Sequence, residues 1–201
     1  LITILFIIMN IENTFFLIFL TCLYLVSCYE WKKLSKNYLY AIIGWMFLFF
    51  SMYSAYEIKN YNNNNNLFYF VLLISIATDL GGYIFGKIFG GPKLTSISPN
   101  KTYSGSLGSL VLSFLFIWIF LNVLDQNILN YDKFGLQYFV LIIFLSITSQ
   151  LGDLFISYFK RQSGIKNTSS LIPGHGGVLD RIDGMIFVFP VFFTLYIFIN
   201  N

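Results

Sequence analysis

The 201-residue chain is 57% hydrophobic, 20% aromatic and 10% charged, a mix too apolar for a soluble globule of this length. Its formal charge is +3, its two cysteines (Cys22 and Cys28) lie within one apolar run, and it has one histidine. These features exclude a disulfide framework and a multi-histidine metal centre, and no nucleic-acid partner is expected.

A span crossing about 30 Å of hydrocarbon needs about 20 apolar residues as a helix. Six such runs follow one another: Asn13 to Tyr29, Asn37 to Tyr56, Leu67 to Gly86, Thr102 to Leu124, Phe134 to Gly152 and Gly184 to Asn201. A shorter run, Leu1 to Asn10, reads as the remainder of a seventh helix, and the initial Leu1 suggests a start further upstream; no basic n-region of a signal peptide precedes it. The expected fold is all-α, a polytopic membrane bundle of six to seven helices forming one domain over residues 1–201. Trp31, Tyr29, Tyr53, Tyr56 and Tyr138 fall where interfacial aromatic belts are expected.

The connections alternate in charge. Lys32, Lys33 and Lys36 lie in the first, Lys87, Lys93 and Lys101 in the third, and Lys160, Arg161, Lys166 and Arg181 in the fifth; the second and fourth hold only Lys59 and Lys133. The positive-inside rule therefore turns the first, third and fifth connections to the cytoplasm. The asparagine tract Asn62 to Asn66 reads as a solvated connector on the other side.

Asp79 is the one charge within the third run. Burying a charge in a span costs at least ~2.5 kcal/mol, so a polar cavity or partner is expected. Gly82, Gly86 and Gly90 follow at intervals of four, a small-residue face suited to close helix packing. Gly81 to Lys87 mimics a phosphate loop, but Ile88 stands where Ser or Thr must hold magnesium and the segment continues a span, so the match fails. The third connection, Gly90 to Ser109, mixes Gly, Ser, Thr and Pro with Lys93 and Lys101. It reads equally as a phosphate-binding loop and as an ordinary capped helix start.

Residues 151–183 concentrate the polar chemistry: Asp153, Lys160, Arg161, Lys166, His175, Asp180, Arg181 and Asp183. Carboxylates with oxygen-only company suit magnesium, which keeps waters and phosphates in its shell. Cations beside such a site suit a polyphosphate. Together they point to metal-assisted phosphoryl or nucleotidyl transfer at the membrane surface. The flanking glycines Gly176 and Gly177 allow close approach to a ligand, and His175 reads as a ligand contact rather than a general base.

Ser157 to Asp183 reads S-x-F-K-R-x-x-x-x-K-N-x-S-x-x-L-I-P-G-H-G-G-V-x-D-R-I-D, and this run closely resembles the signature of phosphatidate cytidylyltransferases. Thr78 to Gly90, Ile97 to Thr102 and Glu30-Trp31 resemble upstream blocks of the same family. Two acids of the family pattern are replaced here, by Asn167 and Ser104. The resemblance implies that CTP and phosphatidate are the substrates, that CDP-diacylglycerol and pyrophosphate are the products, and that Mg2+ is the cofactor, with a second cation and a homodimer left open. It implies that Asp153 and Asp180 hold the metal, aided by Asp183. Lys160, Arg161, Lys166 and Arg181 would neutralise phosphates, with His175 beside them. Asp79, Ser98, Lys101, Thr102, Ser157, Gly176 and Gly177 would line the substrate site. The expected location is a bacterial inner membrane with the site facing the cytoplasm. Competing readings are another membrane phosphotransferase, a lipid-binding homologue without turnover, and an ion or proton transporter using Asp79 and Asp153.

Overall fold

A computed structural model describes residues 13–61, 65–124, 135–171 and 176–200. The Leu1 to Asn10 run, His175 and much of the asparagine tract lie outside these residues. Among the described residues the elements are all helical: α1 (Asn13–Leu34), α2 (Tyr38–Asn60), α3 (Asn66–Phe89), α4 (Tyr103–Leu124), α5 (Leu136–Gln162), the single turn α6 (Leu179–Ile182) and α7 (Met185–Asn200). Five have the length and apolarity to cross a membrane and α7 is a shorter apolar helix, so the chain is an integral membrane bundle. In lipid a helix satisfies its own backbone polar groups, which is why these apolar runs become helices despite their β-branched and aromatic content.

Four helices outrun their apolar segments, α2 running on to Asn60 and α3 to Phe89. α1 continues past Tyr29 to take in Glu30 and Trp31, and α5 continues from Gly152 to Gln162, carrying Asp153, Lys160 and Arg161 on helical backbone. Hydrocarbon thickness limits the apolar run but not the helix, which persists while its polar residues find partners.

The closest helix pair is α3 with α4. A methyl group at Gly81 would strike the backbone of Gly108 and Ser109, one at Gly105 would strike the Gly82 carbonyl, and one at Gly108 would strike Phe85. Gly82 and Gly86 also face α4, as the small-residue face predicts. Gly90 does not: it has open space around it and ends α3 with φ +57°, a left-handed conformation that glycine adopts without penalty. Hydroxyls fasten the same region. Thr78 Oγ1 lies 2.9 Å from Ser113 Oγ and donates to Ser146 Oγ at 2.9 Å, joining α3, α4 and α5, and Ser109 Oγ donates to the Thr78 carbonyl at 2.7 Å. Such bonds hold membrane helices where lipid offers no hydrophobic drive to associate.

Gly105→Leu should therefore part α3 from α4 at a cost of about 1–3 kcal/mol or more. A lowered thermal midpoint in detergent, with loss of the monodisperse species, is the expected result.

Two aromatics expected in interfacial belts are core residues instead. Trp31 is buried, donates Nε1 to the Tyr40 carbonyl at 3.1 Å and packs with its ring 5.0 Å from that of Phe159, tilted by 54°. Gly44 makes room for its indole. Tyr138 is also buried, 6.1 Å from the Phe70 ring. Tyr29 and Tyr53 are exposed, as a belt requires.

Candidate active site

The first, third and fifth connections meet at one end of the bundle. Ser163 Oγ donates to the Leu34 carbonyl at 2.7 Å, and Arg161 Nε donates to the Ile97 carbonyl at 3.4 Å. The basic segments that charge alternation assigned to one side are thus together in space.

Between α3, α4, α5 and the third connection lies a cavity of about 300 Å³, lined among others by Asp79, Ser98, Lys101, Thr102, Gln150 and Asp153. The 90–102 loop that roofs it is folded against itself. Leu94 N donates to the Lys101 carbonyl at 2.8 Å, Lys101 N to the Ser98 carbonyl at 3.1 Å, and Ser104 Oγ to the Gly90 carbonyl. Thr102 Oγ1 accepts the Gly105 N–H at 3.1 Å, capping α4. The capped helix start is therefore present, and the same fold aims Lys101 inward to an ion pair with Asp153.

Asp153 also accepts a hydrogen bond from Ser157 one turn on, at 3.3 Å, and stands beside Asp183. Asp183 accepts the Gly184 N–H at 2.9 Å. Burial, with the nearby Asp153 and Asp79 carboxylates, pushes the Asp183 carboxyl well above the ordinary range, while Lys160 opposes the shift.

Asp180 is held differently. Its Oδ1 accepts Lys160 Nζ at 2.8 Å, and its Oδ2 accepts the Gly177 and Thr168 N–H groups, each at 2.9 Å, and Thr168 Oγ1 at 3.0 Å. Burial alone would raise its pKa, but these donors, led by Lys160, hold it below the usual carboxylate range. Lys160 acts electrostatically on Asp153 and Asp183 as well. A buried ammonium thus sits among three carboxylates.

The other expected residues are distributed around this centre. Arg181 acts on Asp79 from α6. Arg161 and Lys166 are exposed at the rim, with Arg161 bonded to loop carbonyls. Gly176 has φ +84°, and a methyl group there would meet Asp180 Oδ2. A methyl group at Gly177 would strike Thr168 Oγ1 and both Glu30 carboxylate oxygens. The close approach that Gly177 permits is therefore to the protein's own polar groups. Asn167 packs beside Gly176.

Sequence reasoning assigned no role to Thr168, Gln150 or Glu30. Thr168 bonds both Asp180 and Glu30, and Gln150 lines the cavity and accepts the Ser106 hydroxyl. Glu30 carried a readable signal, since an anion in the last turns of a helix opposes the macrodipole and calls for compensation.

The donor set suits a divalent cation held by few protein oxygens. At the centre, Asp79, Asp153, Asp180 and Asp183 gather with Lys101, Lys160 and Arg181. Carboxylates crowded closely enough to push the Asp183 carboxyl upward would repel a polyphosphate, and a divalent cation among them would relieve that repulsion. Among the described residues, no three His, Cys, Asp or Glu side chains form a cage for a metal. A partial shell of carboxylate oxygens completed by water and phosphate fits magnesium. Asp153 and Asp180 Oδ1, which among the described residues accepts only Lys160, are the oxygens suited to it, with Asp183 adjacent.

The model of a cytidylyltransferase family matches residues 1–199 of the chain. The phosphatidate cytidylyltransferase of Staphylococcus saprophyticus is 39% identical over 159 residues, which is 79% of this chain and 56% of that protein. Those of Haemophilus influenzae and Staphylococcus haemolyticus are 40% identical over 134 residues and 43% over 129, covering 66% and 64% of this chain and 46% and 48% of theirs. The chain thus spans about half the length of the curated relatives it matches.

Proposed function

The chain belongs to the cytidylyltransferase family, and on that premise we propose that it transfers the cytidylyl group of CTP to phosphatidate, giving CDP-diacylglycerol and pyrophosphate. The observation that carries the reading is the position of the charged centre, where Asp153, Asp180, Asp183, Lys101 and Lys160 meet at the end of a bundle whose cavity is bounded by membrane helices. A nucleotide can enter such a site from water while a lipid phosphate enters from the bilayer. An ion or proton transporter calls for acids at mid-span, whereas Asp153, Asp180 and Asp183 sit beside a basic loop.

A phosphatidate phosphate oxygen attacks the α-phosphorus of CTP in line. A new P–O bond forms, the bond between the α-phosphorus and the bridging oxygen breaks, and its electron pair leaves with pyrophosphate. The nucleophile is already ionised, so no general base is needed. Lys101 and Lys160 neutralise the charge that collects on the phosphoryl oxygens, and the buried setting of Lys160 strengthens that effect. Arg161 and Lys166 draw the polyphosphate to the rim, and Arg181 balances Asp79. Magnesium bound at Asp153 and Asp180 would supply Lewis-acid stabilisation of the leaving group.

The positive-inside pattern supports a cytoplasmic position for this end of the bundle, and the bacterial relatives support an inner membrane as its setting. Inverted vesicles given external CTP should release one pyrophosphate per CDP-diacylglycerol formed, and sealed right-side-out vesicles should release none. Product from a CDP-alcohol in place of CTP, or equal rates in both vesicle orientations, would overturn the reading.

A further inference from the structure

Glu30 is a carboxylate near the end of a membrane helix with 0% of its surface exposed. A buried charge of this kind survives only where hydrogen bonds replace its water. Here four groups do so, one of them the Thr168 hydroxyl, whose single proton is shared between Glu30 and Asp180. Oε1 accepts Ser169 Oγ at 2.6 Å and Val178 N at 3.0 Å, and Oε2 accepts Thr168 Oγ1 at 2.9 Å and Leu179 N at 2.7 Å. None comes from α1 itself. Two belong to residues 168–169 and two to residues 178–179, so one side chain from the first helix ties both ends of the segment that carries His175. These are charge-assisted bonds, about twice as strong as neutral ones.

The same segment orients Asp180. Its Oδ2 takes three bonds, all from Thr168 and Gly177, and its Oδ1 takes Lys160. Thr168 therefore touches Glu30 on one side and Asp180 on the other, while Gly177, next to Val178, lies against Glu30. Were Glu30 lost, the donors at 168–169 and 178–179 would no longer be fixed to α1, and the groups that aim Asp180 and Lys160 would move with them.

We propose that Glu30 is a positioning residue for the transfer site, holding residues 168–169 and 178–179 together so that Thr168 and Gly177 fix Asp180 and, through it, Lys160. This role rests on the cytidylyl-transfer reading above. Glu30 touches no reacting atom, so its loss should lower turnover more than CTP binding, because rim cations and Lys101 still engage the nucleotide.

The test uses the full chain in detergent micelles with phosphatidate. In Glu30→Gln one carboxylate oxygen becomes an amide nitrogen, which sets N–H groups against two donors in either orientation. Hydrogen exchange at the Val178 and Leu179 amides should rise by about tenfold or more, with α3 and α4 unchanged. Per folded molecule, kcat should fall about tenfold while KM for CTP stays within about threefold. Should Glu30→Gln fold poorly, Thr168→Val removes only the hydroxyl that links Glu30 to Asp180, and it should lower kcat in the same direction. Faster exchange with kcat unchanged in either variant makes Glu30 a fold fastener and overturns the role. A wild-type chain that turns over no CTP overturns the transfer reading, and this role with it.

Discussion

Replacing Asp153 with Asn should abolish magnesium-dependent transfer while leaving the protein inserted and folded. The change keeps the size of the side chain and an acceptor for Ser157, but removes the charge that faces Lys101 and Asp183. If Asp153 is a metal ligand, the loss combines weakened cation binding with lost stabilisation of pyrophosphate, and a fall of about 10³-fold or more in kcat is expected. Asp180→Asn should give a comparable loss, because it removes the negative charge that pairs with buried Lys160. Rates are to be measured at saturating magnesium on membranes matched for protein content. Wild-type rates in both variants would remove the metal assignment.

Lys160→Met is expected to have the second large effect. The substitution keeps an apolar stem of similar length, so packing along α5 changes little, but the ammonium among Asp180, Asp153 and Asp183 is gone. Carboxylates left facing one another disfavour an incoming triphosphate, and the transition state loses a preorganised cation, for a fall in kcat/KM of about 10²–10³-fold. Lys160→Arg should recover only part of it, since a planar guanidinium does not fill the place of a compact ammonium. A Lys160→Met enzyme within about threefold of wild type would show that the ammonium serves the fold and not the reaction.

The membrane architecture was legible because it rests on long apolar runs, and the helices begin within two residues of where those runs begin. Helix ends were less legible. Glu30 and Lys160 lie beyond the apolar boundary yet remain helical, because their partners come from segments far away in sequence, as with Glu30 and Leu179. The same long-range closure hid Trp31, whose place at a helix end looked interfacial but whose indole fits over Gly44.

Within the site, residue types were easier to read than pairings. Asp79, Lys101, Asp153, Lys160, Asp180 and Asp183 stood out as charges in an apolar chain, and the structure brings them to one place. Spacing alone could not show that Asp180 takes backbone donors while Asp183 crowds against Asp153. Thr168 was invisible for the same reason: an uncharged residue in a polar segment gains its significance only when two carboxylates converge on its hydroxyl. His175 lies outside the described residues, so its role stays with the resemblance.

Cytidylyl transfer is tested most directly by following label from CTP in the purified chain with phosphatidate, with and without chelation of magnesium. Label on the α-phosphorus should enter lipid and label on the γ-phosphorus should leave as pyrophosphate, with both stopped by chelator and restored by magnesium. Lipid that stays unlabelled under these conditions, or that acquires the γ label, would contradict it.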